Sequence, residues 1–276
     1  MNRRRSKRKN LLFPILILIC LLIMGVSLYK LITITLDYKQ SENEYDLLKS
    51  YTTERKEEVP EDPNNEAETE SEEVDTDKPK EKKAERCPVS VDFRNLQIIN
   101  PDLVCWLYIP VLDLSYPVVQ GEDNDWYLHR TFEGTENFAG SIFIDAEIQH
   151  PFQDPHTIIY GHSMKNQTMF GKLKLLLQDD LYKKNPVFWI LTPEGDKKYQ
   201  MLDIRYTEAG SDTYTVFEQP DEAYVTYLNE VSAIASIENN NLPEISSDCR
   251  LVTLSTCAAA EGTARLVVQG IRSEEP

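Results

Sequence analysis

Eight short runs between residues 105 and 272 are rich in Val, Ile, Tyr and Phe and are bounded by Pro, Gly, Asn and Asp. Branched and aromatic side chains favour a pleated, half-buried strand, whereas the bounding residues favour turns. Eight strands at such close spacing predict a mainly β fold with a few helices, as a closed barrel or a sandwich. The runs are residues 105–110, 114–120, 140–145, 156–162, 187–192, 197–206, 250–256 and 264–272.

Three further segments place apolar residues at helical spacing. Residues 90–103 should open the domain with an amphipathic helix that ends near Asn100 and Pro101. Residues 168–186, and a segment that begins beside Pro220, should form two more helices. We expect the apolar stripes of these two helices to face the core. The stripe within residues 168–186 is Met169, Phe170, Leu173, Leu176 and Leu177, and the stripe after Pro220 is Tyr224, Leu228, Val231 and Ile234.

The N-terminus predicts a membrane anchor. A basic tail, residues 1–10, runs into residues 11–29, which carry no charge. About 20 apolar residues are enough to cross a bilayer, so we expect residues 11–36 to form a single uncleaved transmembrane helix. Basic residues before the span keep that end in the cytoplasm and place the rest of the chain outside the cell. A cleaved signal peptide is the alternative, but no small-residue cleavage site follows the apolar core.

Residues 37–86 are rich in Glu, Lys, Pro and Thr. Such a segment buries too little apolar surface to offset its chain entropy, so we expect a flexible acidic stalk. Its first part, YKQSENEYDLLKSY, could extend the helix for a few turns beyond the membrane. The globular domain is then expected over residues 87–276.

Charge and cysteine content narrow the function. The formal net charge is −17, which argues against a nucleic-acid partner because phosphate contacts need a basic surface. Cys20 lies in the predicted span, and the four cysteines outside it could form two disulfides. Cys105, inside an apolar run, is equally typical of a buried core thiol. The sequence shows no clustered Cys/His spacing of a metal site.

The segment RLVTLSTCAAAEGTARLVVQG, residues 250–270, predicts a β-hairpin with its loop over residues 258–264. In that register Cys257 faces Arg265 across the mouth of the hairpin. A cation beside a thiol favours the thiolate and can also stabilise an oxyanion during acyl transfer. The two residues alone fit equally well with an unreactive thiol beside a surface arginine.

A nucleophilic cysteine also needs a proton-transfer group, and the chain has four histidines. His162 is the best candidate because it ends an apolar strand where a loop begins. We expect His150 and His156 at the surface, and His129, beside aromatic residues, in a structural position or lining a groove. The order His before Cys is the reverse of that in papain-like proteases.

These residues carry a resemblance to a known family. TLSTC with an arginine eight residues later, preceded by IIYGHSM, resembles the catalytic constellation of the sortases, membrane-anchored cysteine transpeptidases of Gram-positive bacteria. WLYIPVLDLSYPVVQGEDNDWYL, GSIFID and the helical segment over residues 220–238 are similar to class B members. The resemblance covers residues 89–272 and implies a closed sortase-type β-barrel. Asp62-Pro63 is followed by Asn, which does not resemble the aromatic lid of class C.

The resemblance implies a role for each of seven residues. Cys257 would be the nucleophile, His162 the general acid and base, and Arg265 the group that positions substrate and supports the oxyanion. Residues implied to line the substrate groove are Asn124, Leu128, Tyr214 and Ser255. The chain departs from class B after the cysteine, where residues 258–260 are alanines and the first acid is Glu261.

The implied reaction cleaves a C-terminal sorting motif of the Asn-Pro-x-Thr type after its Thr and passes the acyl group to an amine of peptidoglycan or its precursor. The implied partners are secreted surface proteins and the cell wall, and no metal or organic cofactor is required. A catalytically silent binding module on the same barrel remains an alternative, as does another cysteine-dependent wall enzyme. The intact set of His, Cys and Arg favours the enzyme over a pure binder.

Overall fold

The computed structural model describes residues 4–55, 86–178, 181–257 and 264–273. Its strands form a two-stranded sheet, β1-β2, and a closed eight-stranded barrel in the order β10-β8-β7-β3-β4-β5-β6-β9, so the predicted mainly β barrel is confirmed. The strands are β1 (Thr52–Glu54), β2 (Val89–Val91), β3 (Leu103–Ile109), β4 (Leu114–Val119), β5 (Ile142–Ile144), β6 (His156–His162), β7 (Val187–Thr192), β8 (Gly195–Glu208), β9 (Cys249–Cys257) and β10 (Ala264–Ser273). Pairs β4-β5 and β6-β9 are parallel, whereas the other pairs are antiparallel.

Large side chains fill the barrel. Phe188 and Tyr199, on neighbouring strands, stack with ring centroids 5.2 Å apart and are fully buried. Gly270 lies against the Phe188 ring at a register shift of β10, where a Cβ atom would overlap that ring. The glycine is therefore required by close packing rather than by backbone conformation.

Two of the three expected helices form. Helix α2 (Phe93–Ile99) begins at Asp92, whose carboxylate accepts the N–H of Asn95, and it ends at Asn100 as predicted. Helix α4 (Glu222–Ala233) buries Tyr224, Leu228 and Val231. Ile234 was expected on the same buried stripe, but it lies beyond the last helical residue and is 62% exposed.

The expected continuous helix over residues 168–186 is wrong. The segment forms single turns around the four-residue helix α3 (Leu175–Gln178). Met169 has φ of 51°, which ends any helix there, and Gly171 lies tightly against the backbone of Met164. The stripe is nonetheless mostly core, because Met169, Phe170, Leu173 and Leu176 are buried.

A single helix, α1 (Arg4–Lys49), covers the N-terminal segment. By length and composition it could cross a membrane from Phe13 onward. Its last turns pack on the barrel, where Tyr45 and Leu48 are buried and the Tyr45 hydroxyl donates to the Gly140 carbonyl at 2.8 Å.

The predicted stalk boundary therefore differs from the structure. Strand β1 pairs with β2, and Arg55 forms an ion pair with Asp196 on β8. Residues 41–55 therefore pack with the barrel through the buried side chains of Tyr45 and Leu48, the β1-β2 pairing and the ion pair of Arg55. The remaining stalk residues, 56–85, lie outside the described part of the chain.

The cysteines considered for disulfides are free where their side chains are described. Cys87, Cys105 and Cys249 are buried thiols. Burial raises the pKa of Cys87 to about 11 and that of Cys105 well above its usual value, so both stay protonated and unreactive at neutral pH.

Candidate active site

Three adjacent strands bring the predicted catalytic residues to one level of the barrel. In the parallel β6-β9 pair, His162 lies directly opposite Cys257. In the antiparallel β9-β10 pair, Val267 lies opposite Ser255, and continuing this register by two residues places Arg265 opposite Cys257. The observed pairs of the hairpin therefore agree with the register predicted from the sequence. His162 and Cys257 are the last residues of their strands, and Arg265 is the second of its own.

The imidazole of His162 is fixed by one hydrogen bond. Its Nε2 lies 2.8 Å from the Leu128 carbonyl oxygen. A carbonyl only accepts, so Nε2 carries the proton and Nδ1 of the neutral ring is left as a proton acceptor. Burial lowers the pKa of His162. The hydrogen bond to Leu128 raises the pKa, but the Coulombic interactions with His129 and Arg265 lower it further, and the net shift is downward. The ring is therefore mostly neutral at pH 7.

Arg265 is poised to receive an acceptor. Its Nη1 atom is buried and has no hydrogen-bond partner within the described residues. A buried N–H group without a partner is costly, and native proteins leave few such groups away from functional sites. The guanidinium also lines a cavity, so an oxygen atom that entered this cavity could accept the free N–H.

The cavity beside Arg265 has a volume of 320 Å³. Three of the four predicted groove residues line it: Asn124, Leu128 and Tyr214. Ser255 is fully buried and does not line the cavity, but its hydroxyl lies 2.9 Å from that of Tyr214. Larger surface cavities of 650 and 690 Å³ are lined by none of the seven predicted residues, whereas Arg265 and three predicted groove residues line the smaller one.

The comparisons with known proteins agree with this geometry. A family model described as Sortase domain matches residues 107–273, more than half of the chain. The chain belongs to the sortase family. Sortase B of Listeria monocytogenes is 34% identical over 183 residues, covering 65% of this chain and 73% of that protein. Sortase B of Staphylococcus aureus is 35% identical over 188 residues, covering 65% and 74%.

A solved structure, the Staphylococcus aureus sortase B-substrate complex, superposes with a TM-score of 0.60 at 31% identity and covers 66% of this chain and 85% of its own. The class is therefore B, as the sequence resemblance indicated. The enzyme class, a sortase-type cysteine transpeptidase, is confirmed with it.

Sequence reasoning missed two aromatic residues that line the cavity beside Arg265, Phe143 and Tyr160. The Tyr160 ring stacks on that of Tyr214 at 6.3 Å, and its hydroxyl donates to Asp145 at 2.8 Å. The sequence did contain a signal for Tyr160. It precedes His162 by two residues, and residues two apart in a strand lie on the same face, so Tyr160 could have been predicted on the face of His162. Ala209 and Gly210, which complete the lining, carry no such signal.

The surface position predicted for His156 is wrong. Its side chain is fully buried at the first residue of β6, with Nδ1 2.8 Å from the Thr215 carbonyl and Nε2 2.7 Å from Thr253 Oγ1. Burial lowers its pKa to about 4. The side chain of His150 is 69% exposed, as expected for a surface residue. That of His129 is 56% exposed and lines a surface cavity, which is one of the two positions expected for it.

Proposed function

We propose that Cys257 is the nucleophile, His162 the general acid and base, and Arg265 the oxyanion partner of a transpeptidation. The observation that supports this assignment is the register of β6, β9 and β10, which brings the three residues to one level of the barrel, where Arg265 lines the cavity. A binding module would need neither an aligned cysteine and histidine nor a buried arginine Nη1 atom that has no hydrogen-bond partner in the part of the chain that the structure describes.

The proposed reaction consists of two acyl transfers. In the first, Cys257 Sγ attacks the scissile carbonyl carbon, and the oxyanion that forms accepts the free N–H of Arg265. His162 receives the thiol proton at Nδ1 and gives it to the leaving amine as the C–N bond breaks, which leaves a thioester. In the second, an acceptor amine attacks the thioester, its proton passes through His162, and the thiol is regenerated.

The proposed substrate is a secreted protein whose C-terminal sorting motif, of the Asn-Pro-x-Thr type, is cut after Thr. The aromatic side chains of Phe143, Tyr160 and Tyr214 suit an apolar proline, and the exposed Asn124 offers an amide for a polar residue. The relative solved as a sortase B-substrate complex supports a sorting-signal substrate for this chain. The proposed acceptor is an amine of peptidoglycan or its precursor.

The proposed location is the cell membrane, with residues 1–10 in the cytoplasm, 11–36 across the bilayer and the barrel outside. Basic residues before the apolar segment support this orientation. The same helix continues to Lys49 and buries Tyr45 on the barrel, so it would hold the catalytic domain close to the bilayer.

The test is cleavage of internally quenched peptides by the full-length enzyme in detergent micelles. Peptides with an Asn-Pro-Gln-Thr core should be cut after Thr, and Cys257→Ala should lower kcat by at least about 1,000-fold. Cys249→Ala is the matched control, because Cys249 is a buried thiol at the other end of β9 and should retain activity. A folded enzyme that binds but cuts no sorting peptide would favour the silent binding module.

A further inference from the structure

A row of buried polar side chains crosses four neighbouring strands beneath the groove. His156 on β6 contacts Thr253 on β9 at 2.7 Å, and Gln269 on β10 contacts the same hydroxyl at 3.1 Å. Arg205 on β8 then donates to the Gln269 side-chain oxygen at 2.9 Å. The proposed chemistry uses none of these four residues. A buried polar network is costly unless each of its polar groups has a hydrogen-bond partner. A fully hydrogen-bonded row of side chains in the wall of a barrel therefore calls for an explanation.

The hydrogens in this row can point in only one direction. His156 Nδ1 must donate to the Thr215 carbonyl, so in the neutral ring Nε2 accepts from the Thr253 hydroxyl. The Thr253 oxygen in turn accepts from Gln269, whose oxygen accepts from Arg205. This arrangement needs a neutral His156, which its depressed pKa supports.

Both ends of the row hold the same short loop. His156 binds the carbonyl of Thr215, and Arg205 Nη2 donates to the hydroxyl of Thr213 at 3.1 Å. These two threonines flank Tyr214, whose ring and hydroxyl form one wall of the groove. The row therefore clamps the backbone on either side of a groove residue.

We propose that His156 is a positioning residue, which fixes the Thr213–Thr215 loop and thereby holds Tyr214 in the substrate groove. The inference rests on the proposed function, because it assigns Tyr214 to binding of the sorting motif. His156 itself lies at the far end of β6 from His162 and does not touch the reacting atoms. Its loss should weaken substrate binding and leave the thiol chemistry intact.

The first experiment compares His156→Phe, which keeps a ring but removes both hydrogen bonds, with His156→Gln, which keeps one donor and one acceptor. On full-length enzyme, His156→Phe should raise KM for the sorting peptide about 10-fold, the effect of losing the one hydrogen bond that holds the Thr215 carbonyl, with kcat within about 2-fold. His156→Gln should restore most of the loss, and the exposed His150→Gln should change nothing. An unchanged KM, or a kcat that falls as much as KM rises, would overturn the inference.

A double-mutant cycle tests whether His156 acts through Tyr214. If it does, adding His156→Phe to Tyr214→Ala should raise KM no further than Tyr214→Ala does alone. Independent, additive effects would mean that His156 stabilises the barrel in general. If His156→Phe does not fold by circular dichroism, Thr253→Val breaks the same row and should give the same rise in KM.

Hydrogen exchange gives a readout that needs no turnover. Backbone amides of residues 211–217 should exchange faster in His156→Phe than in wild type, whereas those of β3 on the opposite wall should not change. Unchanged exchange in residues 211–217 would refute the clamp even if every peptide were cut. Faster exchange in an enzyme that cuts no sorting peptide would instead count against the proposed function alone.

Discussion

The buried His156 should make the barrel sensitive to acid. Its pKa is about 4 in the folded protein, where burial disfavours the charged ring, and about 6.5 in an unfolded chain. Below pH 6.5 the unfolded chain takes up a proton that the folded protein refuses, so the unfolding free energy falls as the pH falls. The slope is about 1.4 kcal/mol per pH unit, and it ends near pH 4, where the folded protein also binds the proton. One histidine should therefore cost roughly 3 kcal/mol across this window.

The assay is urea unfolding of the full-length enzyme in micelles at pH 7, 5.5 and 4.5, followed by fluorescence of the buried Trp106 and Trp189. Carboxylates and His162 also titrate, so the informative quantity is the difference between wild type and His156→Gln. Wild type should lose about 2–3 kcal/mol more than His156→Gln between pH 7 and 4.5, whereas His150→Gln should behave like wild type. Losses of unfolding free energy between pH 7 and 4.5 that agree within about 0.5 kcal/mol for wild type and His156→Gln would refute a neutral, buried His156.

Three further outcomes follow from individual contacts. Gly270→Ala should lower the unfolding free energy by about 1–3 kcal/mol in urea titrations, because the new methyl overlaps Phe188; an unchanged midpoint would refute this packing. Tyr224→Phe removes the hydroxyl that donates at 2.7 Å to Pro155 and at 3.1 Å to Cys249, and calorimetry should record a loss of about 1–2 kcal/mol; no change in Tm would refute it. The imidazole signal of His162, identified by its absence in His162→Gln, should titrate below pH 6.5 in NMR spectra; a midpoint above 7 would contradict its burial.

Much of the barrel could be predicted because its strands are short, apolar and separated by strong turn residues. The hairpin register of Cys257 and Arg265 followed from the same local pattern, because the strands on either side of a short loop pair with each other. The expected helix over residues 168–186 failed at its start because the positive φ of Met169 is incompatible with a helix there, although the apolar periodicity still identified buried side chains.

Two errors share another cause, which is contact between residues far apart in the chain. His156 looked like a surface residue because its hydrogen-bond partners Thr215 and Thr253 lie 59 and 97 residues away along the chain and meet it only in the closed barrel. Tyr45 and Leu48 were assigned to the stalk because composition averages a whole segment, whereas two buried side chains are enough to dock a helix. Local patterns predict elements, but which polar residues become buried depends on the pairing of distant strands.

The most direct test of the central claim is the intact mass of the enzyme during turnover. Full-length enzyme mixed with an Asn-Pro-Gln-Thr peptide should gain the mass of the acyl fragment ending in Thr, located at Cys257 by fragmentation, and should lose it when an amine such as hydroxylamine is added. Cys257→Ala should gain nothing. Cleavage after Thr that proceeds undiminished in Cys257→Ala, or an acyl group located on another residue, would contradict the account.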